Sequence, residues 1–478
     1  MKLMMCFSAI IVSLFLTVAV EANEIENQEF ESIVQEVLKK HQQTPQSGLS
    51  LSIFTKDQIV HMKGYGLRNR ELSKPVTPQT LFAIGSTTKA FTALGLKLLE
   101  NNGELHLSDK VKKHLPLFQL SNEMITNEAT IEDLLSHRIG LPRHDLMWLL
   151  SDFSREENIK RLAYLGFGEK AEEQFRKTFS YNNFLITAAG LVIEEKTNTS
   201  YEQYIQTHIL NKIGMTSTYL TVPPMNEREF MDLAEPYYGN VKAEHRDIAE
   251  MAPAGSIYSN AVDMTKWIQS YLNYKWRGQE DLFKVRIPID NDNPDLNYGY
   301  GLCWMANTMR SDVQWFFHDG AIDGFTTVVL FSHELNFGMV ALINQNGSSL
   351  PSELVGALLK YKLSKLPKNK SFVQPFVKLK NVDGKPLFIK NKKTKAFHGE
   401  LFENPGYGVM TKYEREGSTY LNYYGAEWKL SKIEDELFNF ITQLTLGKDV
   451  FDFPFKIEDN MISAPFEMKA GLIEFQKM

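Results

Sequence analysis

Apolar positions change their spacing repeatedly along this chain, and each change predicts an element. A mostly apolar stretch, Ile10 to Val20, gives way to helical spacing at Phe30, Ile33, Val34, Val37 and Leu38. Two alternating strands follow, Leu49–Phe54 and Ile59–Lys63, turning at Lys56-Asp57. Helical spacing dominates from about Pro78 to Thr218. Strand signals return at Val328–Phe331 and Gly338–Ile343, and Ser352–Leu359 reads as a closing helix. Strands at both ends of a helical middle predict a sheet assembled from distant pieces. Beyond Lys370 the pattern becomes short aromatic-rich strands with turn signals, such as Asn404-Pro405-Gly406-Tyr407-Gly408 and Tyr423-Tyr424-Gly425. That spacing predicts an all-β appendage.

The first apolar stretch is preceded by Lys2 and ends in Val20-Glu21-Ala22. A basic start, a short apolar core and small residues describe a secretory signal peptide, cleaved near Ala22. The stretch is short for a membrane span, so no integral span is expected once it is removed. The expected location is secreted or periplasmic. Of two cysteines, Cys6 leaves with the signal and Cys303 remains, which excludes an internal disulfide.

The chain has 478 residues, 43% hydrophobic and 23% charged, enough for two folded units. A net charge of −6 gives no reason to expect a nucleic-acid partner. The charge is uneven, with twelve lysines against the single acid Asp383 between Lys360 and Lys395. That run reads as a solvated connector, or as a surface for an anionic partner. The expected division is 1–22 signal, 23–365 main domain and 366–478 β-rich domain.

Chemistry enters at Ser86-Thr87-Thr88-Lys89, where an apolar extended segment meets a helix carrying Ala90, Phe91, Leu94, Leu98 and Leu99. Ser86 falls in the first turn, where unpaired N–H groups favour a developing alkoxide. Lys89 shares its helix face. A serine hydroxyl needs a base, and a lysine whose pKa is lowered by burial can be one. A capped helix start with a solvated lysine is the plain alternative. No Gly-x-Ser-x-Gly elbow, His-Glu-x-x-His pair or Cys/His spacing offers a rival chemistry, and no metal or cofactor is expected.

Three further segments follow in order: Leu134-Leu135-Ser136-His137-Arg138-Ile139-Gly140-Leu141-Pro142, then Phe179-Ser180-Tyr181-Asn182-Asn183 opening a helix, then His318-Asp319-Gly320-Ala321 before a strand. Together with Pro253-Ala254-Gly255-Ser256-Ile257-Tyr258-Ser259, the set resembles the serine β-lactamase and penicillin-binding-protein superfamily, in its class C-like esterase and peptidase branch (peptidase S12-like). The resemblance runs from about Ile33 to Leu359. It implies a β-lactamase-like α/β fold, with an antiparallel sheet flanked by helices plus a helical subdomain. Asn404–Gly408 resembles the start of the lipocalin-like β domain that some members carry.

The resemblance implies a secreted serine hydrolase that works through an acyl-enzyme on esters or amides, including peptides. Ser86 would be the nucleophile, Lys89 its base or relay, and Tyr181 the second acid or base. Such a phenol requires a pKa depressed by cationic neighbours, with Lys89 the obvious one. Asn183 would bond Lys89 and the substrate. The backbone N–H groups of Ser86 and Ala321 would form the oxyanion hole, with Gly320 allowing close approach. Tyr258-Ser259-Asn260 competes with Tyr181 for the tyrosine role, but the helical pattern after Tyr181 favours the latter. His318-Asp319 stands where the family has Lys-Thr-Gly. An acid there repels a carboxylate, so β-lactams and C-terminal D-amino acids are expected to react poorly. His318 then either holds the Tyr181 hydroxyl or a substrate carbonyl, or packs as a strand end. His137 and His144 read as loop or core histidines. Trp304, Trp315 and Phe316 either line an acyl pocket or belong to the core. The alternatives to an esterase or peptidase are a β-lactamase or D,D-peptidase, and a non-catalytic member binding a ligand in the cleft or on the β domain.

Overall fold

The computed structural model describes residues 25–41, 47–289, 298–307, 313–366 and 399–478, the last with a few short breaks. The expected signal segment and most of the lysine-rich run lie outside them.

An eight-stranded antiparallel sheet forms the frame. Its strands are β1 (Leu49–Phe54), β2 (Ile59–Tyr65), β3 (Ile287–Ile289), β4 (Tyr298–Tyr300), β5 (Met305–Asn307), β6 (Phe316–Ile322), β7 (Phe325–Ser332) and β8 (Phe337–Ile343). Their order is β2-β1-β8-β7-β6-β5-β4-β3. Leu49 of β1 sits opposite Ile343 of β8, so the centre of the sheet joins the two ends of the domain, as the distant strand signals predict. β1, β7 and β8 are buried along their whole length. Strands buried on both faces need cover on both, and helices supply it.

On one face lie α1 (residues 25–40) and α5 (Leu350–Ser364), which place Phe30, Val34, Leu354 and Leu358 against Leu51, Leu330 and Met339. On the other, α4 (Ala261–Leu272) lies across β1, β7 and β8. Its Trp267 stacks on Phe91 with ring centroids 3.9 Å apart. Phe91 belongs to α2 (Lys89–Asn101), which packs against α3 (Asn183–Thr197) in the helical region. Gly190 of α3 admits Pro253; a Cβ there would lie 2.2 Å from the proline Cγ. This close approach brings the Ala252–Gly255 turn of helix up to α2.

The motif His318–Ala321 lies inside β6, a correction to its expected place before a strand. The strand that follows, β7, is its hairpin partner, with Gly320 opposite Thr327. Asp and Gly are poor strand formers, which hides the strand from periodicity alone.

Residues 400–477 form a curled nine-stranded antiparallel sheet, in which Glu400–Asn404 pairs with the final strand Gly471–Lys477. Its interior, including Phe402, Tyr407, Tyr423, Trp428 and Phe475, is continuous with the apolar core of the helical region. No helix among the described residues is long and apolar enough to cross a membrane.

Candidate active site

The strand Phe82–Ala83 pairs with Tyr258–Ser259 and delivers the chain to a 3-10 turn, Gly85–Thr88, which runs directly into α2. Ser86 sits in that turn. Gly85 has φ +51°, and a Cβ on it would lie 2.9 Å from Ala321 N. A Cβ on Gly320 would come within 2.1 Å of Ile84 O and 3.0 Å of Ser86 N. Two glycines thus let the turn and β6 meet at backbone distance. The backbone at Ser86 and that at Ala321 are thereby brought close together, as two amides serving one oxyanion would have to be. Thr327 Oγ1 donates to Ile84 O at 2.9 Å and fastens the turn to the sheet.

Lys89 is fully buried. Its Nζ lies 2.9 Å from Ser86 Oγ and donates to Ala254 O at 2.7 Å. Burial, the dominant influence, pushes its pKa down to about 7, with the nearby Arg143 charge acting in the same direction. A lysine half neutral near physiological pH can accept the serine proton.

Tyr181 completes the group. The Ser86 hydroxyl is close enough to act on its phenol, and Lys89 Nζ lies 4.9 Å from its ring centroid. Here the expected depression of the phenol is not met. Burial pushes its pKa well above the ordinary value and outweighs the opposing effects of Ser86 and Arg143. Tyr181 therefore keeps its proton at rest, and of the two groups Lys89 is the one whose pKa suits it to accept a proton.

The second motif builds the loop that holds the third. Thr130 and Asp133 form a capping box, and the fully buried Asp133 carboxylate receives Arg138 Nε at 2.5 Å and Arg176 Nη2 at 2.7 Å. Ser180 N donates to His137 O at 2.8 Å, and Asn182 Nδ2 donates to Pro142 O at 2.6 Å. Asn182 also caps α3, accepting from Leu185 N at 3.1 Å, which fixes Tyr181 just ahead of the helix.

Asn183 departs from expectation. Its Nδ2 donates to Asp145 Oδ1 at 3.0 Å, and no bond joins it to Lys89. It still lines the pocket beside Ser86. His318 does not hold Tyr181 either. Its Nδ1 lies 2.6 Å from Asp319 O, a pure acceptor, so Nδ1 carries the proton and Nε2 accepts from Tyr300 O–H at 2.9 Å. Burial keeps this imidazole neutral, with a pKa near 4. Tyr258 is buried against His245, with His245 Nδ1 3.2 Å from its hydroxyl, and its strand pairs beneath the turn. Trp304 and Phe316 pack on Phe331 in the core and Trp315 in the cluster on the opposite face; none lines the Ser86 pocket.

Sequence reasoning missed several residues here. His137 is a buried loop histidine, as expected, but it stands against the site: its ring lies 4.3 Å from that of Tyr181, and its Nδ1 accepts from Asn182 N at 3.2 Å. Tyr300 lies 5.1 Å from His137. Arg143, Trp148, Ile248 and Met251 line the pocket. Only Arg143, directly after the Gly-Leu-Pro of the second motif, had a positional signal. A larger cavity of about 500 Å³, between Phe283, Phe316 and His333, holds none of these groups. Among the described residues no cluster of His, Cys, Asp and Glu could hold a metal ion.

Comparison with known proteins bears on the fold and the family. A hydrolase of unguisins from Aspergillus campestris is 30% identical over 326 residues, covering 63% of this chain and 58% of its own length. Protein flp of Staphylococcus aureus is 27% identical over 311 residues, covering 64% and 61%. The chain thus spans about three fifths of these relatives. Among solved structures, an octameric penicillin-binding protein homologue from Pyrococcus abyssi shares the fold with TM-score 0.58 at 23% identity, covering 94% of this chain and 99% of its own. A class C β-lactamase matches with TM-score 0.59 at 19% identity, over 72% and 98%. The family model described as Beta-lactamase matches residues 30–359, the span that holds every residue of the Ser86 site, and the chain belongs to that family.

Proposed function

We propose that the protein is an exported serine hydrolase that cleaves ester or amide bonds, including peptide bonds, through an acyl-enzyme. The observation that carries this reading is the buried Lys89 amine, with its pKa near 7, placed 2.9 Å from Ser86 Oγ.

Neutral Lys89 takes the Ser86 proton as Oγ bonds to the carbonyl carbon. The carbonyl oxygen takes the charge and is held by the amides of Ser86 and Ala321. Collapse breaks the bond to the leaving group, which takes a proton from Tyr181; Lys89 returns a proton to the phenol. Water then attacks the acyl-enzyme and loses a proton to the same Lys89–Tyr181 pair. Ser86 Oγ leaves as a hydroxyl and the acid is released. Each oxyanion donor is worth ~2.7–4 kcal/mol in comparable sites.

A fluorophosphonate probe tests the reading. It is expected to label the mature protein at Ser86, and Ser86→Ala is expected to abolish labelling while leaving the melting temperature unchanged. Equal labelling of the alanine variant removes both nucleophile and mechanism.

A further inference from the structure

Beside Ser86 stands a cation that the hydrolytic steps above do not use. The guanidinium of Arg143 is half exposed and lines the pocket with Ser86, Asn183 and Trp148. It lies 4.8 Å from the Tyr181 ring centroid. Its Nε is engaged, 2.5 Å from Asp145 Oδ2, and Asp145 is itself held by Trp148 Nε1 and Asn183 Nδ2 at 2.7 and 3.0 Å. Asp145 therefore fixes one edge of the guanidinium. The two-nitrogen edge, the one that grips a carboxylate bidentately, makes no hydrogen bond among the described residues, and Glu467 joins Asp145 in acting on the charge. No acidic side chain lines that pocket.

The residue after Arg143 is clamped by the C-terminal sheet. His144 is buried and adopts the left-handed conformation, φ +49°. A non-glycine residue stays there only when its surroundings fix it. His144 Nε2 donates to Gly166 O at 2.8 Å; Nδ1 is left to accept from Tyr407 O–H at 2.7 Å. Its backbone N donates to the Glu467 carboxylate at 3.1 Å. Tyr407 is fixed in turn by Asn404 Oδ1, which accepts from the amides of Gly406 and Tyr407, both at 2.8 Å.

We propose that Arg143 anchors a carboxylate of the substrate, and that the C-terminal sheet sets its position through Tyr407, Glu467 and His144. This rests on the hydrolase reading and names its substrate class: esters or amides carrying a free carboxylate away from Asp319. Tyr407 and Glu467 are positioning residues that never touch the substrate.

Two pairs of aryl esters test it: p-nitrophenyl hydrogen glutarate with its methyl ester, and 4-acetoxybenzoate with its methyl ester. They carry the carboxylate on the acyl part and on the leaving group, respectively. The wild type is expected to prefer the charged member of one pair in kcat/KM by roughly 10- to 100-fold, the scale of a charge-assisted bidentate contact. Arg143→Gln should erase that preference through KM, and Arg143→Lys should keep part of it. Tyr407→Phe and, independently, Glu467→Ala should each reduce the same ratio roughly three- to tenfold, with kcat on the neutral ester held within about twofold. No preference in either pair, or an equal loss on both members in Arg143→Gln, overturns the anchor; the latter would assign Arg143 to Tyr181. A ratio unmoved in both Tyr407→Phe and Glu467→Ala overturns the clamp. Failure of the fluorophosphonate to label Ser86 instead brings down the hydrolase reading itself.

Discussion

The two walls of the cleft are built on different principles. On the sheet side, Gly85 and Gly320 bring the Ser86 turn and β6 into backbone contact, with no room for a single Cβ. On the helical side, Arg143, Tyr181 and Asn183 are held at the ends of polar side-chain links that run to Asp133, Asp145 and the C-terminal sheet. On the proposed reading the first wall fixes where charge develops, and its backbone contacts leave no space for adjustment. The second is assembled from separate loops and can be retuned without touching the nucleophile.

The most damaging changes should be those that remove proton transfer between the walls. Lys89→Met is expected to cut turnover by roughly 10²–10⁴-fold while leaving the melting temperature unchanged or higher, because a buried amine is exchanged for an apolar chain of similar size. Tyr181→Phe should cost a similar factor, ~10²–10⁴, whereas Tyr258→Phe should change turnover little. Steady-state kinetics on an aryl ester reads both, and the reverse order for the two tyrosines would relocate the acid. Next comes the rigid wall itself. Gly320→Ala should lower kcat by about 10²–10³-fold, the worth of an oxyanion donor, because its Cβ would press on Ile84 O and the Ser86 amide. A near-normal kcat would show that this wall yields after all.

Smaller effects follow the pH. With the Lys89 pKa lowered to about 7, the base is neutral above that value and protonated below it. The kcat/KM of the free enzyme should therefore fall about tenfold per pH unit below 7 and level off above. Asp319 raises the Lys89 pKa through space, so Asp319→Asn should move this limb to lower pH. A limb that moves upward would reverse the sign of that coupling.

The sheet-side wall was largely legible in the sequence because its parts are short and contiguous. Ser86 and Lys89 are one helical turn apart, and the His-x-Gly segment is single in the chain. The strand signals at both ends likewise foretold a sheet closed by β1 against β8. What stayed hidden depends on burial and on pairing across distance. The rise of the Tyr181 pKa comes from desolvation, which no motif encodes. His318 turns from Tyr181 to Tyr300 because β4 happens to lie two strands from β6. Arg143 was in plain view beside the second motif. Its importance emerges only when Asp145, Asn183 and a tyrosine more than 260 residues later converge on its loop.

The pairing of Leu49 with Ile343 also has a consequence in time. A chain emerging from the ribosome makes Ser86 early, yet β6, β7 and β8, on which the Ser86 turn rests, arrive more than two hundred residues later. Until then β1 lacks its partner on β8, and the oxyanion cradle has only one of its two amides. Contacts of such long range also slow the search for the native arrangement. On the proposed reading the Ser86 site is thus incomplete throughout synthesis and is assembled only as the sheet closes.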